Sequence, residues 1–284
     1  MFKAIGNMIK WIGQHFMGML FLLIVFVVLM PSSSTQLSPA NLQEIKLVGP
    51  IMTADAILKE IEAAQEDTKI KGVLLNVNSP GGAVPPSIEI AYAIKELKKH
   101  KPVVAYASGI MASWSYYASI YANTIIANPG SIVGSIGVIM ESANVEELMN
   151  TIGVKTQIVK QGTYKEAGTP TREWTAEERA ELETLTKDTY DLFVKDVAEA
   201  RGLEVSNAKA YADAHIFSAI RAKEAGLIDS IGIKGQAKAE LQALAKVTKP
   251  TWKEKDKLES FLDQLGSKSI MHLQSYFYGL KASL

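Results

Sequence analysis

The sequence predicts an α/β fold on a mostly parallel sheet, preceded by a transmembrane helix. Three observations lead there. The apolar runs Gly72-Val-Leu-Leu-Asn-Val-Asn78 and Pro102-Val-Val-Ala-Tyr-Ala107 have the length and composition of strands buried on both faces. Amphipathic stretches of helical length separate such runs, as parallel neighbours require. Trp11 to Met30 carries no formal charge unless His15 protonates, and Met19 to Met30 is wholly apolar. About twenty residues at about 1.5 Å each give roughly 30 Å, the hydrocarbon thickness of a bilayer.

Taken in order, residues 1–30 form the anchor. Lys3 and Lys10 precede the apolar run and Pro31-Ser-Ser-Ser-Thr-Gln36 follows it, so the positive-inside rule places the N-terminus in the cytoplasm. No A-x-A-like site follows the run, which favours an uncleaved signal anchor over a cleaved signal peptide. Residues 31–44 are polar and Ser/Pro-rich, a juxtamembrane linker. A main domain over 45–245 then alternates. Strands are expected at Glu44–Ile51, 72–78, 102–107, 123–127, Ile136–Glu141 and Val154–Val159, with helices at 54–64, 86–99, 145–151 and after Ser113. Thr175-Ala-Glu-Glu178 is a capping box opening a long helix to about Arg201, with Leu182, Leu185, Leu192, Phe193 and Val197 as its apolar stripe. Shorter helices follow near 206–211, 219–225 and 234–245. Residues 246–284 read as a peripheral helix and a tail with aromatic Tyr276-Phe-Tyr278, a candidate for docking or assembly.

Composition narrows the function. Thirty basic residues balance thirty acidic ones, so there is no electrostatic footprint for nucleic acid. With no cysteine, disulfides, thiolate catalysis and Cys-based zinc sites are excluded. The four histidines are scattered without a metal-ligand spacing, and no metal site is expected.

The chemistry gathers where strands end, as it does in open α/β sheets. Ser113 follows the 102–107 run and opens a helix, which presents its hydroxyl near a positive helix end. On that stretch alone an N-cap serine explains it as well. Gly81 and Gly82, in Ser79-Pro-Gly-Gly82, let backbone N–H groups approach a ligand. With the Ser113 amide they could form an oxyanion hole; an ordinary tight turn is the plainer alternative. A serine nucleophile needs a base, and lysine serves once burial lowers its pKa from about 10.4 towards 7. Lys165, in the Gly-flanked turn Gln161-Gly-Thr-Tyr-Lys-Glu-Ala-Gly168, is such a candidate, although most lysines are solvated surface groups.

Ser113-x-x-Tyr-Tyr117, Ser131-Ile-Val-Gly-Ser-Ile-Gly-Val138 and Gly162-Thr-Tyr-Lys-Glu-x-Gly168, in this order, closely resemble the signal peptide peptidase A family, the membrane-bound serine peptidases also called protease IV. Asn78-Ser-Pro-Gly-Gly82, Thr175-Ala-Glu-Glu-Arg179 and Glu224-Ala-Gly-Leu-Ile-Asp229 add to the likeness, which spans about residues 45–235. The resemblance implies a fold like Clp protease and crotonase. It implies Ser113 as nucleophile, Lys165 as general base, Ser135 as the hydroxyl orienting that lysine, and the Gly81-Gly82 turn as oxyanion loop. It also implies no cofactor, hydrophobic peptide substrates such as remnant signal peptides, and a bacterial inner-membrane protein with its catalytic domain outside the cytoplasm. For a chain of about this length the resemblance also implies a ring-shaped homo-oligomer in which a neighbour can contribute the lysine.

One departure stands out. The family usually has small residues before Tyr-Tyr, whereas this chain has Trp114-Ser115. Trp114, with Tyr116, is expected to border the substrate pocket, and Ser115 is a rival nucleophile. Register with Tyr116-Tyr117, Ser135 and Lys165 favours Ser113. The alternatives are a catalytically silent membrane-tethered scaffold and a related quality-control peptidase of membrane proteins.

Overall fold

The computed structural model describes residues 10–11, 13–22 and 39–253. Residues 10–11 and 13–22 are helical and exposed; the sheet and its helices lie within 39–253, a compact unit of its own. Residues 12 and 23–30 of the expected span Trp11–Met30, the linker before Pro39 and the aromatic tail lie outside the described residues. Among the described residues no helix is long and apolar enough to cross a membrane.

The sheet has seven strands, β1 (Leu42–Val48), β2 (Gly72–Ser79), β3 (Val103–Ala112), β4 (Thr124–Ala127), β5 (Ile132–Gly134), β6 (Ile216–Ser218) and β7 (Ser230–Ile231). Its path β1-β2-β3-β4-β7 is parallel throughout, and β5 pairs parallel with β3; β6 alone runs antiparallel, against β5. The helices are α1 (Asp55–Glu66), α2 (Val84–Lys98), α3 (Trp114–Tyr117), α4 (Glu146–Thr151), α5 (Ala176–Arg201), α6 (Ala208–Tyr211), α7 (Ala219–Glu224) and α8 (Lys234–Leu244). The parallel α/β architecture expected from the apolar runs is therefore what forms.

Alternation along the strands sends side chains to two cores. Val73, Leu75, Val77, Val103 and Ala105 face the larger one, covered by Ile61 of α1, Ile90 and Ile94 of α2, and Phe193 and Val197 of α5. Leu74, Val104, Tyr106 and Ile126 face the other, closed by Ala237 and Leu241 of α8. Burial on both faces is why β2 and β3 read as unbroken apolar runs.

Two expected strands are absent, and both corrections concern segments without a partner. Residues 135–141 form no strand, because pairing with β3 and β6 ends at Gly134. Residues 154–159 also form none and are exposed throughout, Val159 completely. The β-branched Val154, Thr156, Ile158 and Val159 carry strand propensity there but pair with no strand. Conversely β3 runs past the expected end to Ala112, and β6 and β7 are too short to leave a periodic signal.

A bulge in β3 shapes the functional end. Val77 pairs with Ala107, yet the next pairing is Ser79 with Met111, so β3 carries extra residues there. The Asn78 side-chain oxygen accepts from the Ile110 amide at 3.0 Å, and the Ser108 hydroxyl donates to the Val77 carbonyl at 3.1 Å. Before the bulge β3 pairs with β4; beyond it, Ile110 to Ala112 pair with β5. The bulge thus changes the strand's neighbour and brings Gly134 and Ser135 beside the turn at Ser113.

Candidate active site

Ser113 sits between β3 and α3 with φ 53° and ψ −130°, a conformation an L-residue holds only under strain, at a cost of about 1–3 kcal/mol. Such strain points to function when the surroundings enforce it, and here they do. The Ser113 amide donates to the Gly134 carbonyl at 2.7 Å, and the Ser113 carbonyl accepts from Tyr116 and Tyr117 in the turn that follows. Ser113 is half-buried, and its hydroxyl has no hydrogen-bond partner among the described residues. Ser135, also at positive φ (52°), follows the carbonyl that holds Ser113; its own amide donates to the His215 carbonyl at 2.7 Å, and its hydroxyl likewise has no partner among the described residues. A third strained residue, Ala214 (φ 55°), donates through its amide to the Ile136 carbonyl at 3.0 Å. Three of the positive-φ positions that are not glycine therefore lie in one hydrogen-bonded chain around Ser113 and Ser135.

The glycine turn faces this elbow. A β-carbon on Gly81 would lie 2.9 Å from both Ser113 Cβ and the Trp114 nitrogen, so only glycine permits the approach. The Gly81 amide donates to the Ser79 hydroxyl at 3.2 Å. At Gly82 the chain bridges Ile51: the Ile51 amide donates to the Gly81 carbonyl and the Ala83 amide to the Ile51 carbonyl, each at 2.8 Å. In that parallel pattern the Gly82 N–H points away from Ile51. It has no acceptor among the described residues, and neither does the Trp114 N–H, which as the first residue of α3 has no intrahelical one. The free amides around Ser113 are thus Gly82 and Trp114. Of the three expected donors, Gly81 and Ser113 already serve other acceptors.

The pocket assignments of Trp114 and Tyr116 need correction. Trp114 is 4% exposed, and its indole packs against Phe193 (ring centroids 4.6 Å apart) and Tyr117 (5.0 Å) inside the core. Tyr116 is fully buried and its hydroxyl donates to the Leu227 carbonyl at 2.7 Å. A side chain one or three positions past the elbow, on a helix packed against α5, turns inward. Tyr117 donates to the Asp196 carboxylate of α5. Burial pushes the Tyr116 phenol well up; burial and then Asp196 do the same for Tyr117, so both stay neutral donors. Ser115 is wholly buried: its oxygen accepts from the Ala112 amide at 3.0 Å and its hydroxyl lies 2.7 Å from the Ser79 carbonyl. That hydroxyl ties the end of β2, just before the glycine turn, to the elbow, and leaves no nucleophile at Ser115.

Lys165 stands in the loop between α4 and α5. It is exposed, in a turn where its amide donates to the Gly162 carbonyl at 3.3 Å. Among the described residues no hydrogen bond or ion pair joins its amine to Ser113 or Ser135. Close packing and hydrogen bonds bring 81, 82, 113 and 135 together, and none of these contacts includes 165. Sequence reasoning missed the Trp114 amide, because a backbone group has no residue signature. It missed the Gly134 and His215 carbonyls for the same reason.

A model of the Clp protease family matches residues 40–125, and one of peptidase family S49 matches residues 95–248. A protein of Methanocaldococcus jannaschii named as a protease is 42% identical over 190 residues, 67% of this chain and 61% of that protein. A protein of Synechocystis, also named as a protease, is 37% identical over 207 residues, 72% of this chain and 74% of its own length. Protease 4 of Salmonella typhi is 32% identical over 194 residues, 68% of this chain but only 31% of that longer protein. Among solved structures, a mutant of a membrane-bound stomatin-specific protease superposes with a TM-score of 0.54 at 13% identity, covering 78% of this chain and all of that one, a likeness of fold. The matches to family and relatives join on one conclusion: the chain belongs to peptidase family S49.

Proposed function

We propose that the chain is a membrane-anchored serine endopeptidase of Ser-Lys type that degrades hydrophobic peptides such as cleaved signal peptides. The observation that carries it is the strained Ser113, its hydroxyl free, set against a glycine turn with the Gly82 and Trp114 amides unspent. Neutral Lys165 takes the Ser113 proton, the oxygen attacks a peptide carbonyl, and the two amides hold the oxyanion. Lys165 then protonates the leaving amine, and water releases the acyl group from Ser113. Ser135 orients the lysine amine.

Lys165 is exposed and makes no bond to Ser113 or Ser135 among the described residues, which supports a ring in which the lysine comes from a neighbour. Residues 139–164 include the exposed apolar side chains Ile139, Ile152, Val154, Ile158 and Val159, more than an isolated surface segment ordinarily shows. A second copy laid over them would remove water from Lys165, as a lysine base requires. The lipid bilayer, through residues 11–30, brings the domain to its substrates.

A fluorophosphonate probe tests the proposal, since only an activated serine reacts. Wild type should label at Ser113, and Ser113→Ala or Lys165→Ala should lose at least about a hundredfold in labelling and in peptide turnover. Undiminished turnover in either variant removes the dyad. A chain that never labels is the silent peptide-binding scaffold.

A further inference from the structure

We propose that Arg172, with Lys160, is a positioning residue for the base: it anchors the Lys165 turn and keeps the adjacent Glu166 carboxylate away from the lysine amine. The inference rests on the reading of Lys165 as the general base. Between α4 and α5 the chain has no helix or strand, and the turn at Lys165 is held by short-range bonds, Ala167 to Tyr164 at 3.0 Å and Thr169 to Glu166 at 2.9 Å. Such a turn would be poorly fixed by itself. An ion cluster fixes it. The Arg172 guanidinium forks onto both Glu178 oxygens at 2.7 and 2.8 Å, donates to the Glu173 carbonyl at 2.9 Å, and reaches Glu166 at 3.2 Å. Lys160 donates to the same Glu166 oxygen. Glu178 is in turn locked into the first turn of α5 by the capping box with Thr175.

The Arg172–Glu178 pair explains itself, because a carboxylate only 3% exposed needs a partner. The Glu166 link does not. Two cations converge on one oxygen of the carboxylate next to Lys165, while the Lys165 amine has no partner among the described residues. Lys160 first and Arg172 second hold Glu166 below the usual carboxylate range, so it stays ionised. An ionised neighbour left free would attract the Lys165 ammonium and favour its protonated form, which cannot act as a base. The other charged group at the cluster, Glu146 of α4, accepts from the Glu173 amide at 3.3 Å and leaves Glu166 to its two cations.

The test uses the full-length protein in detergent, with probe labelling and peptide cleavage followed from about pH 6 to about pH 10. Arg172→Ala should lose about tenfold at neutral pH and regain most of it in base, its acidic limb displaced upward by about one pH unit. Arg172→Lys, which keeps charge without the fork, should fall between. Adding Glu166→Gln to Arg172→Ala should return the acidic limb to its wild-type position, while the lost anchor keeps the plateau rate lower. A purely structural role would lower the rate alike at every pH, and an unmoved limb in Arg172→Ala, or a limb still displaced in the double variant, overturns the proposal. Hydrogen exchange at the amides of residues 162–169 needs no catalysis and should quicken about tenfold in Arg172→Ala; unchanged exchange overturns the anchoring whatever Lys165 does. Persistent labelling in Lys165→Ala, by contrast, strikes the base assignment and not the anchor.

Discussion

Ser113 shows how a single residue is held where it would not rest. Its φ of 53° suits glycine, and the Gly134 carbonyl and the α3 turn keep it there. Ser113→Gly should therefore raise stability by about 1 kcal/mol while abolishing probe labelling, a trade that a thermal melt run beside a labelling gel would expose. A lower melting temperature would mean that the serine is not strained. Ser115 makes the opposite prediction. Removing its hydroxyl leaves the buried Ala112 amide without its acceptor, so Ser115→Ala should lose about 1–3 kcal/mol in denaturant titration while Ser113 still labels.

At the scale of elements, α5 does two things. Its middle packs Phe193 on Trp114 and Tyr117 and takes the Tyr117 hydroxyl on Asp196, which fixes the helix behind Ser113. Its N-terminus holds the Arg172–Glu178 pair beside the Lys165 turn. Arg172 first and the Thr175 amide second bring the Glu178 carboxyl down to about 2, from 4.5 for an ordinary glutamate. A carboxyl lowered in the folded state stabilises above its unfolded value, and the contribution fades as pH falls from 4.5 towards about 2. Wild type should accordingly surpass Glu178→Gln in urea midpoint at neutral pH, with the gap closing across that acid range. A gap constant in pH would detach the pair from stability.

For the whole molecule, the sheet delivers half of a site. The bulge in β3 exchanges β4 for β5 as neighbour, so the elbow, Ser135 and the glycine turn meet at one end of the sheet. Lys165, the proposed base, sits at the end of the largely exposed 139–165 segment with no bond to that cluster among the described residues. If a neighbour completes the site, mixing inactive Ser113→Ala with inactive Lys165→Ala under conditions that exchange subunits should restore labelling. Mixtures that remain silent while each variant assembles normally would place the base in the same chain.

Much of the fold was legible because strands buried on both faces leave uniform apolar runs, as in β2 and β3, and because Thr175 and Glu178 write a capping box openly. The chemical types at 81, 82, 113, 135 and 165, and their order, are likewise properties of the sequence. What it could not express are pairings between distant backbone atoms and the direction a side chain takes from an elbow. The run at 154–159 has the composition of a strand, yet pairing requires an edge, which only the assembled sheet supplies or withholds. Trp114 looks in the sequence like a pocket wall beside Ser113, but α3 points its indole at Phe193, and its amide, not its ring, faces the glycine turn. Residue identity and spacing were determined by the sequence alone; which amides stay free and which hydroxyl is spent was decided by tertiary packing, since each depends on atoms far away along the chain.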